Sequence, residues 1–240
     1  MGCPEDLDFI QSGRVARIDQ PASDTNILGL ISWQADEGCE RFGLDFETTE
    51  GAPATTPPSV MVEYLPSLQV LRIHLDVERT VLTDQLVETA FVDRLYVVRA
   101  LDGGMFVDLH LASPTQARAE VSNSPARLMV EFQPGNEPFE GFAATSDFAV
   151  VVVPPEGSEV GGTVDVSGYT RTFESNVLII ATSGDQLVAE TFTTAADSEV
   201  TWGEFEASLE LTVGDASIFV GEEDVVDGGL VGVTINVVVR

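Results

Sequence analysis

Two short runs carry the residue types that proton transfer or metal binding requires. One is Ile73-His74-Leu75-Asp76 and the other is Asp108-Leu109-His110. An imidazole beside a carboxylate suits a general base with its orienting acid, or two ligands of one ion. In a strand, residues two apart share a face at roughly 6.5–7 Å, too far for a direct hydrogen bond unless the side chains lean together. With 40 acids in 240 residues, a carboxylate two places from a histidine is close to a chance event. Both pairs are therefore read as a solvated sheet face. Glu222-Glu223-Asp224 with Asp227 is acidic enough for calcium but lacks the spacing of the twelve-residue loop, and is read as a solvated turn. Carboxylate pairs for glycoside hydrolysis are unavoidable among so many acids and carry no signal. The sequence contains no phosphate-cradling glycine loop, nucleophile elbow, CxxC pair or HExxH. Trp33, Tyr64, Tyr96, Tyr169 and Trp202 are the rings on which a sugar would stack. Trp33, outside the clearest strands, is the ring expected to meet a glycan or partner. No catalytic residue, cofactor or metal site is expected.

Charge removes whole classes of partner. The net charge is −29, and all eleven basic residues are arginine. Phosphate backbones need clustered cations, so nucleic acid is excluded, and an anionic membrane surface would repel the chain. The acidity is not a tail: residues 149–240 hold 16 acids and two arginines, residues 1–148 hold 24 and nine. Repulsion of that size keeps a protein soluble and destabilises it unless cations screen it. It fits a salty or calcium-containing medium, or a genome whose composition disfavours lysine. No apolar run approaches the roughly 20 residues that cross a bilayer, and the residues after Met1, Gly2-Cys3-Pro4-Glu5-Asp6, do not read as a signal peptide. Cys3 and Cys39 either form a disulfide, contributing about 4 kcal/mol in the chain-entropy model, or Gly2-Cys3 is the remnant of a lipoprotein cleavage site with lipid on Cys3. Both readings place the chain outside the cytoplasm. Two unrelated reduced thiols are the third reading.

The elements that would position these residues are strands nearly throughout. From Leu71 the chain alternates strictly, with Leu71, Ile73, Leu75 and Val77 on one face and Arg72, His74, Asp76 and Glu78 on the other. Met105 to Leu111 and Arg127 to Phe132 repeat the pattern, and Asp102-Gly103-Gly104 signals a hairpin. Thr80 to Ala90 admits a short helix. Gly51 to Pro58 is a proline-rich loop. Beyond Pro155, strands are expected at 177–182, 186–193, 205–213, 217–221 and 232–239, the count of an immunoglobulin-like sandwich. Pro154 and Pro155 cannot donate to a ladder. They mark the start of a second domain, with the boundary near 145–153 and Ala149 to Val152 as its first strand. The fold class is all-β with two domains, 1–148 and 149–240.

The second half resembles the immunoglobulin-like domain of bacterial spore germination proteins. The resemblance rests on Pro155, Ser158 and Val160, on Val166-Ser167-Gly168, on Phe173-Glu174, on Trp202 and Phe205, and on Asp227-Gly228 before Val233 to Val237. It implies a non-catalytic sandwich in an exported envelope protein, with Trp202 and Phe205 packed in its core. The first half resembles an AMIN-type domain through Gly38 to Phe46, Val62-Glu63-Tyr64, Met105 to Leu109 and Asn123 to Phe132. In AMIN-like lipoproteins of actinobacteria a cysteine stands before the equivalent of Glu40-Arg41-Phe42 with a partner upstream, which implies a Cys3–Cys39 bridge. The expected function is that of a non-catalytic, extracytoplasmic adaptor or cell-wall-associated module, secreted or lipid-anchored, meeting peptidoglycan or another envelope protein. The alternatives are a surface-layer or filament subunit joined by sheet edges and divalent cations, and an acidic hydrolase.

Overall fold

The computed structural model describes Cys3 and residues 8–139, 141–224 and 228–240. It is almost wholly β, as the periodicity requires, and contacts divide it into two compact units: residues 1–98 with 103–140, and residues 141–240 with 99–102. The described residues include no helix long and apolar enough to cross a membrane.

In the first unit the strands are β1 (Gly13–Ile18), β2 (Ile27–Asp36), β3 (Cys39–Glu47), β4 (Val60–Leu65), β5 (Val70–Leu75), β6 (Arg79–Thr80), β7 (Asp84–Leu86), β8 (Val92–Arg99), β9 (Met105–Leu111), β10 (Thr115–Ser122) and β11 (Arg127–Pro134). One sheet runs β10-β11-β3-β2-β6, and the other contains β1-β4-β5-β9-β8 with β7 on β8. The alternating residues of β4, β5 and β9 meet Phe42, Leu44, Phe46, Leu128 and Phe132 in one core. Burying each such side chain contributes about 1.5–3 kcal/mol. The residues 80–90 form no helix. β6 pairs with β2 in parallel and β7 with β8 antiparallel. Thr80 explains the turn between them, because its Oγ1 both donates to the Leu82 carbonyl and accepts from the Leu82 amide, offering the backbone an alternative to a helical bond. The proline loop is tied down by Asp24, whose carboxylate accepts from the Thr55 and Thr56 amides at 2.9 and 2.7 Å. Those backbone hydrogen bonds hold its pKa below the usual carboxylate value.

In the second unit the strands are β12 (Ala144–Thr145), β13 (Ala149–Val153), β14 (Glu159–Val160), β15 (Thr163–Thr170), β16 (Asn176–Ser183), β17 (Gln186–Thr194), β18 (Trp202–Glu210), β19 (Gly214–Glu223) and β20 (Leu230–Val239). β18-β15-β13-β12 form one side and β14-β20-β19-β16-β17 the other, closing on Val151, Val166, Ile179, Phe205, Ile218 and Ile235. Ser183-Gly184-Asp185 makes the β16–β17 hairpin, with Gly184 at φ +57°, a conformation only glycine adopts freely. Gly168 is required for a different reason. A Cβ there would lie 1.9 Å from the Val150 carbonyl oxygen, where β13 and β15 approach beside an irregularity in their register.

Candidate functional site

The His/Asp pairs lie on the face of β5 and β9 that points away from the first unit's core. The expected solvated face is not what forms there. Asp108 is wholly buried, and both of its oxygens accept from Arg72, Nε at 2.8 Å and Nη2 at 2.7 Å. Direct pairing of Arg72 with Asp108 across β5 and β9 produces this fork. The Arg72 guanidinium also covers the Phe106 ring at 4.1 Å. His110 packs edge-on to Tyr96 at 5.0 Å. Burial pushes its pKa down to about 4, against the upward pull of the Asp108 carboxylate. Burial likewise raises the Tyr96 phenol, opposed by a hydrogen bond from Arg94. His74 approaches Glu63 on β4 at 3.6 Å, while Asp76 falls beyond the end of β5. The alternation was read correctly, but both faces of β9 are covered, so its polar residues are locked in pairs. Both Asp108 oxygens are taken up by one guanidinium, and a histidine neutral down to about pH 4 carries no proton to donate near neutrality.

The outward face of the other sheet carries a second charge ladder. Glu131 sits between Arg118, at 2.5 Å, and Arg41, at 2.8 Å, because the three are directly paired across β10, β11 and β3. Burial pushes the Glu131 carboxyl up, but the two guanidinium groups outweigh it and hold the pKa below its ordinary value. Asp36 and Glu120 extend the ladder at its ends. Gly43 leaves space for Arg127, whose Nη2 would lie 2.1 Å from any Cβ there and which reaches Ser32 at 2.8 Å. Cys3 and Cys39 form a disulfide with Cα atoms 5.1 Å apart. Their sulfurs and Glu131 are the one cluster of ligand-type atoms among the described residues, and the bridge takes up both thiols. Buried Glu40 holds the segment after β7, accepting from Thr89 Oγ1 at 2.6 Å and the Phe91 amide at 3.1 Å.

The aromatic expectations divide. Tyr64, Tyr96, Tyr169 and Trp202 are buried, and Trp202 packs edge-on against Tyr169 at 5.9 Å. Trp33 was expected on an exposed stretch and instead belongs to β2. A bulge between Leu28 and Ile31 resets the alternation, so Trp33 pairs with Phe42 and its half-buried ring stacks there at 6.2 Å. Glu222 and Glu223, expected in a turn, end β19 instead. The Asp224 carbonyl accepts from the Gly228 amide; Asp227 lies outside the described residues.

What the sequence reading missed is a groove on the outer face of the second unit, about 490 Å³, lined by Phe173, Leu178, Ile180, Phe192 and Leu230. Phe173, Phe192 and Leu230 are 65%, 68% and 53% exposed. Register places Phe192, Leu178, Gly221 and Gly232 in one row across four strands. The two glycines lie so close that a Cβ on either would fall 2.1 Å from the neighbouring strand's carbonyl oxygen. Phe173 is turned outward by a loop in which Glu174 and Ser175 both have positive φ, 53° and 60°, each costing about 1 kcal/mol or more. Its amide is held by Glu222 at 2.5 Å. Glu190, Glu222 and Glu223 frame the groove. The detectable signal was Phe192, an aromatic in phase with Glu190 on the outward side of an alternating strand.

Two sheets closed on an apolar core, antiparallel except where β14 pairs β20 in parallel, define the second unit as an immunoglobulin-like sandwich. Residues 148–229 match the family described as the immunoglobulin-like domain of bacterial spore germination. No curated protein matches the chain.

Proposed function

We propose that the protein is a non-catalytic, extracytoplasmic component of the cell envelope, an adaptor or wall-associated module whose AMIN-like first half contacts envelope glycan or a partner protein. The match of residues 148–229 to the spore-germination family carries this reading. The Cys3–Cys39 disulfide supports an oxidising compartment. The bridge and a lipid thioether would compete for the same Cys3 sulfur. The pairing of Asp108 with Arg72, and of Glu131 with two arginines, supports a structural use for the buried acids. Sedimentation with purified peptidoglycan at low and high salt tests the glycan contact: co-sedimentation is expected, and a protein that stays wholly in the supernatant refutes it. A second reading, a surface-layer or filament subunit, is favoured by β17, which ends its sheet with Leu187 and Phe192 exposed. Calcium-dependent growth in light scattering would support that reading, whereas a strict monomer with and without calcium rules it out.

A further inference from the structure

We infer that the groove across β17, β16, β19 and β20 is a docking site for a short cationic and apolar segment of a partner protein, one or two branched or aromatic side chains flanked by lysine or arginine. The inference rests on reading the protein as a binding module and says where it binds and what kind of sequence it takes.

Three independent observations point there. The first is exposure: Phe173 and Phe192 each leave about two thirds of their surface in water, on the same face as the partly buried Ile180 and the buried Leu178. A cluster of that kind on a folded surface marks an interaction site. The second is the backbone. The loop that displays Phe173 holds two consecutive non-glycine residues in the left-handed region, so the ring is held outward at a conformational cost. The third is charge. Glu190, Glu222 and Glu223 frame the apolar floor, and the unit around them carries 16 acids against two arginines in residues 149–240. An acidic frame repels an anionic lipid surface and an acidic peptide and attracts lysine and arginine beside the apolar anchor. The dimensions fit a short segment. Four strands span three inter-strand steps, about 14 Å, the length of about four extended residues. The row through Phe192, Leu178, Gly221 and Gly232 crosses the same four strands.

The test uses the full oxidised chain and two fluorescent peptides of equal length, one placing Leu-Phe between lysines and the other placing it between glutamates. Anisotropy should detect binding of the lysine peptide only, weakening several-fold between 50 and 500 mM NaCl. Phe192→Ala should weaken it at least tenfold and Glu190→Gln several-fold. Both side chains are exposed, so unchanged melting temperatures are expected and separate binding from folding. Equal binding of the glutamate peptide, or a Phe192→Ala protein that binds as wild type, overturns the proposal. So does concentration-dependent self-association abolished by Phe192→Ala, which would assign the face to a second copy of this chain. Peptidoglycan binding abolished by Phe192→Ala would assign it to glycan and also overturns the proposal. If the lysine peptide fails while peptidoglycan still sediments the protein through the first half, the groove assignment falls and the envelope reading stands.

Discussion

Asp108 is wholly buried and both its oxygens are occupied by one guanidinium, so the worth of the pair shows only when one partner is removed. Asp108→Asn removes the carboxylate that Arg72, 18% exposed, forks, and is expected to cost about 3 kcal/mol in urea denaturation. The double change Arg72→Met with Asp108→Leu should recover most of that loss, because it removes the charged groups together. A double variant as unstable as Asp108→Asn would refute the assignment of the cost to an unpaired charge. His110 gives a pH signature. Its folded pKa of about 4 lies below the ordinary 6.5, so the folded state binds this proton less readily than the unfolded chain. The stabilisation is complete above pH 6.5 and is lost as pH falls toward 4. The shift corresponds to at most about 3 kcal/mol, less because the ring retains some solvent contact. Glu131, also depressed, adds a loss of the same sign at lower pH. Between pH 6.5 and 5, before most surface carboxylates titrate, wild type should lose stability steadily. His110→Gln should flatten that slope, and an unchanged slope would show that the titrating group lies elsewhere.

At the scale of elements, period and turn chemistry placed most strands within a few residues. Leu71, Ile73 and Leu75 face the core as the alternation of β5 requires, and Gly184 closes its hairpin. Failures occurred where contacts far apart in sequence decide the outcome. Residues 80–90 read as an ambiguous helix because the partners that make them strands, β2 and β8, lie elsewhere in the chain, as does the Glu40 that fixes Thr89 and Phe91. Trp33 read as exposed because a bulge two residues upstream is invisible to a period-two count. The solvated face expected around Asp108 failed because alternation reports which side a residue takes and not whether that side is covered. The groove around Phe192 escaped because Phe173 and Leu230 are distant from it in sequence and meet it only through the sheet register. The disulfide is an element-level constraint too. It closes 36 residues, for which the chain-entropy model gives about 4 kcal/mol as an upper value. Cys3→Ala with Cys39→Ala should lower the urea midpoint accordingly, and reducing the wild-type protein should reproduce that midpoint. A reduced wild type as stable as the oxidised one would show that the link contributes nothing.

Across the whole molecule the eleven arginines are distributed unevenly, and the two units should answer to salt differently. The first unit pairs several of its acids with arginines in ladders such as Arg118-Glu131-Arg41. Residues 149–240 hold only Arg171 and Arg240 against 16 acids, and Arg240 is paired with Glu159. Screening therefore relieves more repulsion in the second half. Raising sodium chloride from 20 to 500 mM should increase amide hydrogen-exchange protection in β16, β19 and β20 more than in β3 and β11. Equal gains in both halves would contradict a charge-based cause. The contact between Gly221 and Gly232 has a consequence for how such a surface changes over time. Any side chain added at either position collides with the opposite strand, so this stretch of the β19–β20 pair, beside the groove, is closed to substitution. A lineage that retargets this face must do so at Phe173, Glu190, Phe192 and Leu230, exposed residues that line the groove. Related chains should thus share the paired glycines and diverge around them.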